Sequence, residues 1–252
     1  SGPVGDLVLG GGTFRYIGTT ATSARGLVLD AAMTVDVESV DTTLTMTGTV
    51  TSSGGALTKT GDGTFELQSP SGFSASVSSL TIIGGGLAID GVSETTTQLD
   101  VTGGFSMATS AADANPTSGS LTLSGDAVLN VGGYSAIGTY GGTASLTMND
   151  NAVYKGTSGR IGGRYQNPLT LDYNTVDIEM NGNAAIQYTS FFNIGEEYSN
   201  VTMTMNDASS VTATSADFGW GVNTNSTAVL NGTSSIAVTG AFNIGVRGAG
   251  AT

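Results

Sequence analysis

The chain repeats a short motif, and its clearest copy reads Ser145-Leu146-Thr147-Met148-Asn149-Asp150-Asn151-Ala152-Val153. Apolar side chains alternate with polar ones in Leu146-Thr147-Met148, which is the period-2 pattern of a β-strand with one buried face. The strand is followed by an Asn-Asp pair, and both residue types tolerate a positive φ in a tight corner. No stretch of the chain shows a sustained apolar stripe of helical period. The motif therefore predicts a short strand that ends in a corner.

Four further copies begin at Ser120, Val176, Val201 and Thr227. The residues that follow the strand are spaced by 25, 32, 25 and 25 positions, and they are Ser124, Asn149, Asn181, Asn206 and Asn231. Each copy has a second marker 12 or 13 residues later, namely Ile137-Gly138, Ile161-Gly162, Ile194-Gly195, Phe218-Gly219 and Ile244-Gly245. A loop around residues 166–169 accounts for the longer interval. An all-β unit of about 25 residues is typical of one coil of a parallel β-helix (β-solenoid).

Stacked coils place equivalent residues above one another. Asparagines at one position can then join amide to amide along the stack. The repeat therefore predicts a structural ladder of Asn149, Asn181, Asn206 and Asn231. It also predicts that the apolar strand positions face a shared core, and these positions are Leu121, Leu123, Leu146, Met148, Ile178, Met180, Met203, Met205 and Leu230. Val229 is adjacent to Leu230 and is expected to point outward.

The first half of the chain has a different motif, Gly54-Gly55-Ala56-Leu57-Thr58-Lys59-Thr60-Gly61-Asp62-Gly63-Thr64-Phe65-Glu66-Leu67. It resembles the autotransporter-associated β-strand repeat of bacterial surface proteins, whose pattern is G-x-L-x-K-x-G-x-G-T-L-x-L followed by a G-G-x-L strand. Phe65 stands where that family usually has leucine, and residues 80–90 match more loosely. The resemblance implies a right-handed β-helix that is extracellular or on the bacterial cell surface. It carries over no catalytic residues.

The two motifs divide the chain into three parts. Residues 1–107 are predicted to form β-helix coils of the autotransporter-repeat type, and residues 119–252 coils with the 25-residue repeat. Between them, residues 108–118 contain Ala-Ala-Asp-Ala-Asn-Pro and break the strand pattern, so we expect an irregular loop. A flexible hinge between two separate folds is the alternative.

Composition excludes several classes of function. The chain has 252 residues, with 7 basic against 20 acidic side chains and a net charge of −13, which disfavours nucleic acid as a partner. Histidine and cysteine are absent, so imidazole catalysis, disulfides and thiolate metal sites are excluded. No apolar run reaches the roughly 20 residues of a membrane-spanning helix, so we predict no membrane insertion by this segment.

The carboxylates offer the one route to an enzyme, because β-helices often carry polysaccharide lyases and hydrolases. The closest pairs in sequence are Asp36 with Glu38, Asp177 with Glu179, and Glu196 with Glu197. The i, i+2 pairs lie on one face of a strand, and we expect that face to be the outer, solvated one. Arg160 or Arg164 is expected to form a solvated ion pair with Glu196 one coil further on. We predict no catalytic residue, no metal site and no cofactor.

The sequence favours a non-enzymatic extracellular structural or surface protein. Neither end of the chain resembles a cap that would shield a sheet edge. We therefore expect either that further coils of a longer chain follow, or that the protein associates with itself, end to end or laterally, into filaments. The alternative is a β-helix adhesin or a polysaccharide-active enzyme, for which a surface polysaccharide would be the partner.

Overall fold

Three short strands joined by tight corners make up each coil of the molecule. The computed structural model describes residues 5–92, 95, 97–109, 117–163 and 174–245, and in these residues it contains strands and no helix. Consequently no helix that could cross a membrane is found in the described part of the chain. The strands, in chain order, are β1 (Leu7–Leu9), β2 (Gly12–Tyr16), β3 (Ala21–Ser23), β4 (Leu27–Leu29), β5 (Met33–Val37), β6 (Thr43–Met46), β7 (Val50–Ser52), β8 (Leu57–Thr60), β9 (Thr64–Ser69), β10 (Phe73–Val77), β11 (Leu80–Ile82), β12 (Gly86–Gly91), β13 (Thr97–Val101), β14 (Phe105–Met107), β15 (Ser118–Gly125), β16 (Ala127–Thr139), β17 (Thr143–Met148), β18 (Val153–Gly163), β19 (Asn174–Met180), β20 (Ala185–Tyr188), β21 (Phe191–Glu196), β22 (Ser199–Met205), β23 (Ser210–Ala213), β24 (Ser215–Trp220), β25 (Thr224–Leu230), β26 (Ser235–Val238) and β27 (Phe242–Ile244).

Equivalent strands of successive coils pair in parallel and form three faces. The first face runs from β1 to β26, the second from β2 to β27, and the third from β3 to β25. The long strands β16 and β18 turn a corner, so the first half of each lies in the first face and the second half in the second face. The third face has nine strands, one for each complete coil. The predicted all-β parallel solenoid with coils of about 25 residues is thus confirmed.

The core is a single column of apolar side chains that runs along the inside of the stack. Eight of the nine predicted core positions are buried, and Leu230 is 46% exposed. Leu230 nevertheless occupies the inward register, because it pairs with Met205, whereas Val229 pairs with the outward Thr204. Leu230 belongs to β25, the last strand of the third face, so no further strand of that face covers it in the described residues.

Left-handed backbone at two corners of each coil explains why the repeat has two markers. The glycine of every Ile-Gly or Phe-Gly marker has a φ between 58° and 70°, and these residues are Gly138, Gly162, Gly195, Gly219 and Gly245. The residue after each ladder position is also left-handed, with a φ between 59° and 70°, and these residues are Gly125, Asp150, Gly182, Asp207 and Gly232. Only glycine, asparagine and aspartate adopt this conformation readily, which fixes the residue types at both corners.

The motif of residues 54–67 forms β8, a corner and β9. Its apolar positions Leu57, Phe65 and Leu67 are fully buried. A side chain at Gly61 would collide with the backbone carbonyl of Val37 in the preceding coil, and Gly55 and Gly63 are equally confined by backbone atoms of that coil. Gly55, Gly61 and Gly63 are therefore required by the close approach of stacked coils.

The sheets continue across the predicted loop at residues 108–118. Strand β12 pairs with β15, and β14 pairs with β16, so strands on either side of this segment are direct neighbours. Residues 110–116 of the loop lie outside the described residues. The expected loop at residues 166–169 also lies outside them.

Candidate functional site

The predicted asparagine positions form one column at the corner between the third and first faces. Asn181 Nδ2 donates to Asn149 Oδ1 at 3.0 Å, and Asn206 Nδ2 donates to Asn181 Oδ1 at 2.8 Å. Asn231 Nδ2 donates to Asn206 Oδ1 at 2.8 Å. The structure thus brings all four residues together. Each internal amide donates to the preceding coil and accepts from the next, which leaves its main polar atoms engaged within the stack.

The same corner carries two more columns, at the two positions that follow each ladder residue. Asn183 Nδ2 donates to Asn151 Oδ1 at 3.0 Å, and Asn151 Nδ2 donates to Asp126 Oδ1 at 2.9 Å. The other column is the left-handed position itself, at which glycine and aspartate alternate in successive coils. The N–H of Gly182 donates to Asp207 Oδ2 at 3.0 Å, and the N–H of Gly125 donates to Asp150 Oδ2 at 3.2 Å. These contacts make the corner a stabilising spine and give it no free ligand-binding groups among the atoms named.

Lys59 points into the stack and is fully buried. Its Nζ donates to the backbone carbonyl oxygens of Thr60, Gly61 and Gly84 at 2.5, 3.0 and 3.3 Å. Burial lowers the pKa of Lys59 to about 8, against the opposing influence of Asp36 and Asp62. The ammonium group therefore satisfies carbonyls of two adjacent coils at a corner, which is a structural role for the lysine of the 54–67 motif.

A concave site opens on the second face, and we call it the tyrosine–arginine pocket. It has a volume of about 280 Å³ and is lined by Tyr134, Ala136, Thr139, Tyr140 and Arg160. Strand pairing sets Ala136 directly beside Arg160 in the next coil. All five residues therefore come from the consecutive coils of β16 and β18 and the corner after β16.

One wall of the pocket is braced by a second aromatic ring. Tyr134 is 38% exposed, and its ring lies 6.2 Å from that of Phe191 at an interplanar angle of 50°. Strand pairing places Ser158 opposite Tyr134. In the coil beyond, Phe192 lies opposite Gly159, so its neighbour Phe191 lies in the row of Ser158 and Tyr134. The small side chain of Ser158 thus leaves room for the two rings to approach each other.

Arg160 pairs with Glu196 one coil further on, as the sequence predicted. The expectation of a solvated pair was wrong, because the two side chains are only 18% and 7% exposed. The reason is Gly163, which pairs with Thr139 and has no side chain of its own. A Cβ at Gly163 would collide with the Cβ and the backbone of Glu196, so the glycine allows Glu196 to approach this closely. Arg164 lies outside the described residues.

A shallower groove of about 500 Å³ crosses the third face. Its floor includes one in-register column of small and polar residues, namely Thr64, Gly86, Ser120, Ser145 and Asp177. The two carboxylates of the groove are Asp62, beside Thr64, and Asp177. Four coil spacings separate their positions along the stack, which is about 19 Å at ~4.8 Å per coil. Glycosidases need two carboxyl groups about 5–9.5 Å apart.

Neither of the predicted i, i+2 carboxylate pairs brings both of its side chains into this groove, since Asp177 lines it and Glu179, Asp36 and Glu38 do not. Asp36 and Glu38 both contact Arg15, at 3.4 and 2.7 Å. Asp177 and Glu179 are exposed on the third face. Within the described ranges, no three histidine, cysteine, aspartate or glutamate side chains are grouped closely enough to hold a metal ion.

These features define the class of the molecule as a parallel β-solenoid repeat protein with hydrogen-bonded corners and a small aromatic pocket on its outer surface. A stretch of 63 residues is 44% identical to the protein named adhesin BmaC autotransporter of Brucella suis biovar 1 (strain 1330). That stretch is 25% of this chain and only 2% of the adhesin's length. The chain matches no family model, and no solved structure matches it.

Proposed function

We propose that this chain is a non-enzymatic segment of a bacterial surface adhesin of the autotransporter type. The observation that carries the proposal is the unbroken nine-strand third face, which makes the chain a stiff rod suited to present a surface away from a cell. The partial likeness to an autotransporter adhesin supports a location outside the cell or on its surface.

A polysaccharide-active enzyme is the less favoured function. The carboxylates of the third-face groove are too far apart along the stack for acid–base cleavage of a glycosidic bond. Arg15 engages a second acidic pair, and Arg160 engages Glu196. The geometry of the described residues therefore supports binding better than catalysis.

We also propose that the last described coil associates with another coil, supplied either by a longer chain or by a second copy of this one. Strand β27 lies at the edge of the second face, where Ile244 is 75% exposed and Phe242 is 46% exposed. Strand β27 pairs with β24 on one side only in the described residues, and apolar side chains beside such an edge favour pairing with a further strand. Sedimentation velocity tests association with a second copy of this chain. We expect a species larger than the monomer, and a monomer at every concentration would contradict this form of the proposal.

Adhesion is tested with beads that carry the purified chain. We expect the beads to attach saturably to host cells or to matrix polysaccharides, and antibodies to label the protein on intact bacteria that make it. Beads coated with albumin are the control. Attachment no better than this control, or the release of new reducing ends from a polysaccharide panel, would contradict a non-enzymatic adhesin.

A further inference from the structure

The asparagine column contains two Asn-Gly pairs, Asn181-Gly182 and Asn231-Gly232. An asparagine side chain can lose its amide when the backbone nitrogen of the next residue attacks its Cγ atom. Glycine permits this attack most readily, because it has no side chain to hinder the approach and its backbone is the most adaptable. The two pairs lie at equivalent corners of different coils, so the structure offers a matched comparison between them.

The two pairs have the same geometry toward the preceding coil. Gly182 and Gly232 are both left-handed, with φ values of 70° and 69°. The N–H of each asparagine donates to a methionine carbonyl of the preceding coil at 2.8 Å. The carbonyl of each asparagine accepts from the N–H three residues further on, at 3.4 Å for Asn181 and 3.3 Å for Asn231. Nothing in this half of their surroundings distinguishes the two corners.

The following coil does distinguish them. Asn206 Nδ2 donates to Asn181 Oδ1 at 2.8 Å, and the N–H of Gly182 donates to Asp207 Oδ2 at 3.0 Å. At the second pair, no residue in the described ranges makes either contact, and both members of the pair are exposed. The next coil therefore holds both reacting groups of the first pair and leaves those of the second pair open to water.

From this difference we infer that Asn231 is a site of spontaneous deamidation, and that the following coil protects Asn181 from the same reaction. The nitrogen of Gly232 loses its proton and forms a bond to Cγ of Asn231. The Cγ–Nδ2 bond breaks, and Nδ2 leaves as ammonia after taking up one proton. Water then opens the resulting succinimide ring to aspartate or isoaspartate, so the net change consumes one water and releases one ammonia.

Protection of Asn181 has two physical causes. The carboxylate of Asp207 accepts from the N–H of Gly182, and its negative charge opposes the loss of that proton. The amide of Asn181 is also held from both sides, by Asn149 and Asn206, and these hydrogen bonds must break before its Cγ can turn toward the nitrogen.

Incubation of the dilute wild-type chain at mildly alkaline pH tests the inference. Peptide mapping by mass spectrometry measures deamidation at each asparagine, and isoaspartate methyltransferase labels the rearranged product. In the folded chain we expect Asn231 to react about tenfold or more faster than Asn181, because fewer hydrogen bonds restrain it. A parallel sample in urea is the control. Its corners are unfolded, so we expect both Asn-Gly pairs to react at similar rates.

The variant Asp207→Gly tests the protection directly. Glycine keeps the left-handed corner and removes the carboxylate from the N–H of Gly182, so we expect deamidation of Asn181 to become about three- to tenfold faster. Asp150→Gly is the matched control, because the Asp150 carboxylate accepts from Gly125 and not from Gly182. It should leave the rate at Asn181 unchanged. Circular dichroism checks that both variants are folded, and the new Asn-Gly pair that each change creates is quantified on its own peptide.

Three results would overturn the inference. These are equal rates at Asn181 and Asn231 in the folded wild type, reaction of neither residue in the folded chain while both react in urea, or equal effects of Asp207→Gly and Asp150→Gly on Asn181. The inference does not depend on adhesion, which the bead experiment judges separately.

The proposed association of the last coil has its own readout in the same experiment. A coil stacked beyond Asn231 would protect this residue as the present coil protects Asn181. A rate at Asn231 that falls as the protein concentration rises would therefore support both the inference and the association of copies. A fast rate at Asn231 that does not change with concentration would support the inference and contradict the association of copies.

Discussion

At the scale of single residues, Lys59 places an ammonium group inside a stack of apolar side chains. Three backbone carbonyls surround its Nζ, and burial lowers the pKa of Lys59 from 10.5 to about 8. Between these two values the unfolded chain holds a proton that the folded chain has released. The contribution of this site to stability is therefore fully present above pH 10.5 and is lost as the pH falls through about 8.

The variant Lys59→Met tests this pH dependence. We expect the unfolding free energy of the wild type, relative to that of the variant, to increase as pH rises from 8 to 10.5. The slope of this shift is at most about 1.4 kcal/mol per pH unit. Urea denaturation at several pH values measures it. Lys155→Met, at an exposed lysine on the first face, is the control. A difference that does not change over this range would contradict the assignment.

The asparagine column makes a second prediction at this scale. The change Asn181→Ala removes both the oxygen that accepts from Asn206 and the N–H that donates to Asn149. We expect the free energy of unfolding to fall by about 1–3 kcal/mol, since two partly buried amides each lose a partner. The matched control is Asn225→Ala, an exposed asparagine on the third face, for which little change is expected. Equal effects of the two changes in urea denaturation would show that the column does not stabilise the fold.

At the scale of elements, the tight corners limit which residue types can connect one strand to the next. Gly61 has a φ of 75° between β8 and β9, and a side chain there would meet the Val37 carbonyl. Gly61→Ala should therefore destabilise the protein by roughly 2–4 kcal/mol, combining left-handed strain with a backbone clash. Gly10→Ala is the control, because nothing lies within 4 Å of a Cβ built at Gly10. Thermal unfolding compares the two, and similar melting temperatures would refute the close approach of coils.

Strands and corners could be predicted from the sequence because they repeat. The alternation in Leu146-Thr147-Met148 and the glycines after Ile137 and Ile161 act locally, so each copy reports the same backbone geometry. The spacing of the copies then gave the register of the asparagines.

The pocket could not be predicted in the same way. Tyr134, Arg160 and Glu196 come from three coils, and nothing in their spacing repeats. The close approach of Glu196 depends on the missing side chain at Gly163, and its ion pair with Arg160 is buried where the sequence suggested a solvated one. The buried position of Lys59 escaped prediction for a similar reason, because its carbonyl partners belong to two coils.

At the scale of the whole molecule, hydrogen bonds between coils and the shared core hold the stack together without an evident metal site in the described residues. We expect the β-sheet circular dichroism signal and the melting temperature to stay unchanged when EDTA is added. Addition of Ca²⁺ after EDTA is the control for reversible effects. Loss of the signal with EDTA, and its return with Ca²⁺, would reveal a structural cation and contradict this expectation.

Strand pairing joins the coils on both sides of residues 108–118 in one in-register stack. Thr64 and Thr227 lie in the same outward column of the third face, six coil spacings apart. At ~4.8 Å per coil their backbones are separated by about 29 Å, although they are far apart in sequence. The chain has no cysteine, so spin labels at Thr64→Cys and Thr227→Cys would be the only two.

Electron–electron double resonance on this doubly labelled chain measures that separation. A second doubly labelled chain, with Thr64→Cys and Thr202→Cys, has its two labels one coil closer together. It serves as the reference and should give a distance shorter by about 5 Å. We expect a narrow distribution near 30 Å for the first pair. A broad distribution, or one centred well beyond 40 Å, would mean that the two halves form separate bodies and would contradict the single solenoid.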